Sequence, residues 1–156
     1  MSQFKIPFSG RAHGYTRDEI MAVSTAMVDA EPLTQGRYLK LFEEKFSAYS
    51  GATHSFAVCN ATAALEMAAQ LCCFKESDEV IIPVHTFTSS AYPFLKKGGK
   101  IVWADIDSSS RVITPELIAS KITNKTKAIV VVHLYGYVAD MPAIMALAKE
   151  HNLLVI

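Results

Sequence analysis

Apolar and polar positions along this chain switch repeatedly between two periods. Ile20, Val23 and Met27 recur at helical spacing behind Thr16 and Glu19, a pair that forms a capping box. Leu39, Phe42, Phe46 and Tyr49 share the face of a second helix, and Gly51 supplies its stop. A short apolar run at 55–59 then reads as a strand, and Asn60 caps an Ala/Leu/Met-rich helix over 61–73. Strand 80–82, helix 89–97 and strand 100–104 follow, the last carrying Trp103. Thr114-Pro115-Glu116 is a strong helix start, with a cap and then proline at the first helical position. Strand 127–133 leads to Asp140-Met-Pro, a helix over 141–151 and a terminal apolar run, Leu153–Ile156. Strands separated by helices need right-handed crossovers. The expected fold is therefore α/β, three layers, with a largely parallel sheet and helices on both faces. No internal repeat, low-complexity segment or linker interrupts it.

Composition narrows this picture. The 156 residues are enough for one domain with a real core, and 51% hydrophobic against 19% charged residues argues for a packed interior. Fifteen basic residues balance fifteen acidic ones, so no field draws the chain to nucleic acid or an anionic membrane. The start Met1-Ser-Gln-Phe-Lys-Ile-Pro lacks the apolar core of a secretory leader, and no apolar run approaches a membrane span. Cys59, Cys72 and Cys73 show neither metal nor disulfide spacing, and a cytoplasmic location is expected. Cys72 and Cys73 are expected to be small buried apolar residues.

Chemistry concentrates where helix 61–73 begins. A helix starting directly off a strand points its first N–H groups and the positive end of its dipole into the crevice above the sheet. Asn60, Ala61 and Thr62 are small there, so an anion can approach the backbone, with the Thr62 hydroxyl as a further donor. An ordinary capped helix has the same pattern, and both readings stand at this point. His85 and His133 lie near strand ends, although a lone histidine there is more often structural; His13, His54 and His151 have weaker claims. Asp105 and Asp107 lack a third metal ligand and read as turn or helix caps, so no metal is expected. The lysines, Lys96-Lys97 and Lys125 with Lys127 among them, read as solvated charge. Tyr135-Gly136 reads as a turn at a strand end.

Taken together, Asn60-Ala61-Thr62, the segment from Asp78 to Tyr92, the turn Thr34-Gln-Gly36 ahead of Phe42-Glu43, and the run from Val130 to Gly136 resemble one family. It is the DegT/DnrJ/EryC1/StrS group of sugar aminotransferases, enzymes with pyridoxal 5'-phosphate and the aspartate-aminotransferase fold. The resemblance runs from about Ile6 to Ile156 and makes residues 1–156 the N-terminal part of the large domain. By this resemblance Asn60, Ala61 and Thr62 match a Ser-Gly-Thr phosphate-binding turn, with Asn for Ser and Ala for Gly. Alanine there strains the turn if positive φ is needed and costs little as the first helical residue. Phe87 matches the aromatic lying against the cofactor's pyridine ring, which would leave the reactive carbon free. Thr88-Ser89-Ser90 is expected to cap the following helix.

The resemblance also implies what the chain lacks. The acidic partner of the pyridine nitrogen and the Schiff-base lysine would lie beyond Ile156, so no catalytic residue is assigned within these 156 residues. On this reading they are inactive alone and poorly soluble. The intact enzyme would take an amino group from an amino acid, commonly glutamate, to a keto group on a nucleotide-linked sugar, as a homodimer with the Thr34–Gly36 region near the shared site. A sugar dehydratase of the same family, with histidine in the lysine's place, and a non-catalytic binding or regulatory member are the alternatives.

Overall fold

The computed structural model describes residues 14–32 and 34–156, in two compact units, Met1–Ala57 and Val58–Ile156. His13 and the start of the resemblance at Ile6 lie outside the described residues.

In the first unit, α1 (Arg17–Asp29) opens with the expected capping box. The Glu19 N–H donates to Thr16 Oγ1 at 3.2 Å, and the Thr16 N–H donates back to Glu19 Oε2 at 2.6 Å. Helix α2 (Arg37–Ser50) starts at Gly36, where a side chain would run into the Pro32 carbonyl oxygen. It ends at Gly51 in the left-handed conformation (φ 74°), which glycine adopts without a Cβ penalty. The expected strand 55–59 does not form. The Ala57 N–H, which a strand would give to a neighbouring ladder, donates instead to Glu43 Oε1 at 2.8 Å, and Ser55 pairs with Ser47 through their hydroxyls. Without a ladder partner among the described residues, Phe56–Cys59 carry apolar side chains but no sheet.

The second unit contains the sheet. Helix α3 (Ala61–Leu71) precedes β1 (Glu79–Pro83); a 3-10 turn (Thr88–Ser90) and α4 (Tyr92–Lys96) lead to β2 (Lys100–Ala104). Then come α5 (Pro115–Ala119), β3 (Thr126–Ile129), a second 3-10 turn (Leu134–Gly136), α6 (Met141–Glu150) and β4 (Leu154–Val155). The strand order is β2-β1-β3-β4 and every pair is parallel. Val130 N–H to Ile81 O (2.9 Å) and Val131 N–H to Ile156 O (2.8 Å) carry the ladders past the regular strand ends.

Alternation along the strands divides the core in two. Val80, Ile82, Ala128 and Val130 face α3 and α4, where they pack with Ala69, Cys72 and Phe94. Ile81, Ala104 and Ile129 face the opposite way, toward Ile118 of α5 and Ile144 and Ala148 of α6. A sheet buried on both faces explains why β1 reads Val-Ile-Ile without a polar alternate. The three-layer α/β arrangement expected from the sequence is present.

Three local expectations need correction. Helix 89–97 is broken into a 3-10 turn and α4, because Pro93 has no N–H to give to a preceding turn and sits instead in the first turn of α4. Thr88-Ser89-Ser90 forms that turn rather than capping a helix, and the Phe87 position ahead of it has no side-chain cap. Cys72 is buried, and burial pushes its thiol above the ordinary range, but Cys73 is exposed. Helix α3 stops at Leu71, and Cys73 follows its cap in the left-handed region (φ 49°), which turns the side chain off the helix.

Candidate functional site

Strands β1 and β3 are neighbours, but the chain leaves their carboxyl ends in opposite directions. From β1 it passes through α4 to β2 on one side; from β3 it passes through α6 to β4 on the other. The two exit segments diverge toward opposite layers. In open α/β sheets this switch point is where ligands bind. The segment 84–91 leaves β1 and the segment 130–140 leaves β3, so Phe87, His85, His133 and Tyr135 are all delivered to this one end of the sheet.

Helix α3 presents its amino end to the first of these segments. Asn60 is extended (φ −167°), and its Oδ1 accepts the Ala63 N–H at 2.9 Å, while its carbonyl accepts the Ala64 N–H at 3.3 Å. The N–H groups of Ala61 and Thr62 have no hydrogen bond among the described residues, and both point off the positive end of the helix. Ala61 is the first helical residue, not a positive-φ position, so alanine in place of glycine costs no backbone strain.

Thr62 differs from expectation in one respect. Its hydroxyl pairs with Ser89 Oγ at 2.9 Å, so the two hydroxyls share one hydrogen bond at the amino end of α3. Ser89 was legible only as part of a helix start, because its partner lies 27 residues away. Next to it, Thr86 Oγ1 donates to Ser90 Oγ at 2.7 Å and closes the turn. Phe87 lies between these two hydroxyl pairs in sequence and is 73% exposed. It is not the core phenylalanine of this region. That position belongs to Phe94, fully buried with its ring edge-on to Phe74 at 6.3 Å.

The remaining candidates separate clearly. His133 Nδ1 accepts the Ala139 N–H at 3.3 Å, which closes the segment 134–138. The ring of His85 lies 6.2 Å from that of Tyr135, tilted by 61°. Tyr135 is 82% exposed and left-handed (φ 54°, ψ 24°), a conformation that costs a non-glycine residue about 1 kcal/mol. Asp107 is a turn cap: its Oδ1 accepts the N–H groups of Ser110 (2.6 Å) and Ser109 (3.1 Å), and these bonds, Ser110 first, hold its carboxyl below the usual range. Asp105 caps the N–H of Ile106 at 2.8 Å. Among the described residues, no group of three acidic, histidine or cysteine side chains is placed to hold a metal. Lys96 pairs with Glu66 at 3.2 Å, between α4 and α3. Thr34 and Gly36 lie in the first unit, and His151 follows α6 as its exposed cap.

The model of the DegT/DnrJ/EryC1/StrS aminotransferase family matches residues 15–156. The chain belongs to that family. Among relatives of this DegT/DnrJ/EryC1/StrS member, the UDP-N-acetyl-3-dehydro-alpha-D-glucosamine 3-aminotransferase of Acidithiobacillus ferrooxidans is 38% identical over 147 residues, which is 94% of this chain and 40% of that enzyme. Among solved structures, an aminotransferase from Psychrobacter cryohalolentis superposes with a TM-score of 0.86 at 38% identity, over 96% of this chain and 38% of the other. NtdA from Bacillus subtilis, solved with its cofactor PMP bound, gives a TM-score of 0.82 at 31% identity, over 90% of this chain and 33% of its own. The chain thus spans about two-fifths of the length of these relatives.

Proposed function

We propose that this chain forms the cofactor-binding part of a pyridoxal 5'-phosphate-dependent aminotransferase that carries an amino group from an amino acid such as glutamate to a keto group on a nucleotide-linked sugar. One observation carries this reading. The free N–H groups of Ala61 and Thr62 are tied, through the Thr62–Ser89 bond, to the turn that holds Phe87 exposed at the switch point. A phosphate-bearing aromatic ring needs both parts, an anion cradle and a flat apolar wall, at a fixed separation.

In this reading Ala61 and Thr62 donate backbone hydrogen bonds to the phosphate, the Thr62–Ser89 hydroxyl pair adds a further donor, and Asn60 keeps the first turn in shape. Phe87 stacks on one face of the ring and holds it against rotation. The cofactor supplies an electron sink for the carbon that loses its proton during transfer. The lysine that bonds to it is read to lie beyond Ile156. Residues 1–156 together would then be the N-terminal part of the large domain, in a homodimer with a second copy of the chain. The substrate class rests on what the relatives are named for; the cofactor also rests on the fit of the cradle and wall.

The test is made on the full-length protein. Purified with pyridoxal 5'-phosphate, it is expected to absorb in the visible range, to lose that band when glutamate is added, and to recover it with a nucleotide-linked keto-sugar. Borohydride before the donor is expected to trap the cofactor on a lysine. A protein whose spectrum does not respond to any amino donor would defeat the assignment.

A further inference from the structure

Tyr135 is the part of this end of the sheet that the cofactor reading leaves unused. It is a large aromatic ring, mostly in solvent, on a segment folded by its own hydrogen bonds. His133 Nδ1 accepts the Ala139 N–H at 3.3 Å, the Gly136 N–H donates to His133 O at 3.3 Å, and the Tyr137 N–H donates to Leu134 O at 3.0 Å. The left-handed residues Cys73 and Asn152 follow helix ends, where that conformation ends the helix; Tyr135 follows β3 and is the one aromatic among the left-handed residues described. Its ring lies 6.2 Å from that of His85, tilted by 61°, and His85 follows the carboxyl end of β1. Two adjacent strands thus deliver an aromatic pair to the end of the sheet from which the Phe87 segment also leaves.

We propose that Tyr135, braced by His85, binds the sugar ring of the acceptor substrate, an inference that rests on the aminotransferase reading above. The chemistry of that reading selects the sugar over the nucleotide. The keto carbon must reach the cofactor's reactive carbon, so the sugar is the portion of the acceptor that has to lie at the switch point, while the nucleotide extends away from it. Sugar rings present faces of C–H bonds, and an aromatic face covers them without competing for their hydroxyls. The amino-acid donor has no such ring and does not need Tyr135.

The experiment uses the full-length enzyme with Tyr135→Gly, Tyr135→Phe and His85→Ala. Glycine keeps the left-handed backbone and removes only the ring, so loss of the fold does not confuse the result. For Tyr135→Gly, KM for the nucleotide-linked keto-sugar is expected to rise about three- to tenfold, the range of an aromatic face contact. The rate of the half-reaction with the amino-acid donor, the melting temperature and inhibition by the free nucleoside diphosphate are expected to stay at parental values. Tyr135→Phe is expected to behave as the parent, and His85→Ala to show a smaller rise in the same direction. An unchanged KM for the acceptor overturns the inference; so does an equal loss in the donor half-reaction or a lowered melting temperature, which would mark a packing role. Weaker inhibition by the free nucleotide would move the contact to the nucleotide and overturn the sugar assignment. A parent that transfers no amino group to any keto-sugar defeats the aminotransferase reading itself, and is distinguished by its failure before any variant is made.

Discussion

Replacing Phe87 with alanine separates a cofactor wall from a core side chain, because the two roles differ in magnitude. Phe87 is 73% exposed, so folding removes only about a quarter of its surface from water. With roughly 200 Å² for a phenylalanine and about 25 cal/mol per Å², truncation costs the unliganded protein about 1 kcal/mol. Phe94, fully buried seven residues later, provides the control, since a core phenylalanine cut to alanine costs roughly 3–5 kcal/mol. If Phe87 stacks on the pyridine ring, the missing stabilisation appears in binding instead. We expect pyridoxal 5'-phosphate to bind Phe87→Ala about ten- to a hundredfold more weakly, or roughly 1.4–2.8 kcal/mol. The assay is a cofactor titration followed by absorbance, alongside thermal melts of the unliganded full-length variants. A melting midpoint that falls as far for Phe87→Ala as for Phe94→Ala, with cofactor binding at the parental concentration, would show that the ring packs inward and refute the assignment.

Other substitutions probe the cradle and the turns. Thr62→Val removes the neutral bond to Ser89 while keeping the backbone N–H, and is expected to weaken cofactor binding by about 0.5–1.5 kcal/mol, read by the same titration. Asn60→Asp keeps the cap oxygen and favours the helix dipole, yet puts a negative charge beside the anion site; the helix should hold its melting temperature while cofactor affinity drops, and unchanged affinity would count against a phosphate there. The Asp107 carboxyl is held low in the fold by the Ser110 and Ser109 N–H groups, so its contribution is present above the unfolded value near 4 and fades as pH falls through the folded one. The gap in melting temperature between parent and Asp107→Asn is therefore expected to close in acid, and a gap that widens would reverse the sign of the argument.

The elements that the sequence showed best are those set by local chemistry. Thr16 with Glu19, Thr114 ahead of Pro115, and Gly51 each begin or end a helix through bonds within three or four residues, and all three hold. Strand β2 was readable to the residue because its apolar run is bounded by Gly99 and Asp105. The strand expected at 55–59 shows the opposite case: β character is only an offer, and it is realised when another chain segment accepts the ladder. Ser89 was missed for a related reason. Its partner Thr62 lies on a different element, and no periodicity within either segment signals a hydroxyl pair 27 residues apart. Phe87 and Phe94 look alike in the sequence, both aromatic and both next to helical turns. Only the placement of Phe94 against the sheet and Phe74 separates the buried ring from the exposed one.

The opposed exits from β1 and β3 leave the two segments beyond them anchored in separate layers. Segment 84–91 is braced by α3 and α4, and segment 130–140 continues into α6 across the sheet. Changes within residues 134–138 would be felt at segment 84–91 through the ring contact of Tyr135 with His85. If Tyr135 meets the acceptor and Asn60–Thr62 the phosphate, transplanting this short segment from a relative is expected to change acceptor preference while cofactor affinity stays at the parental value.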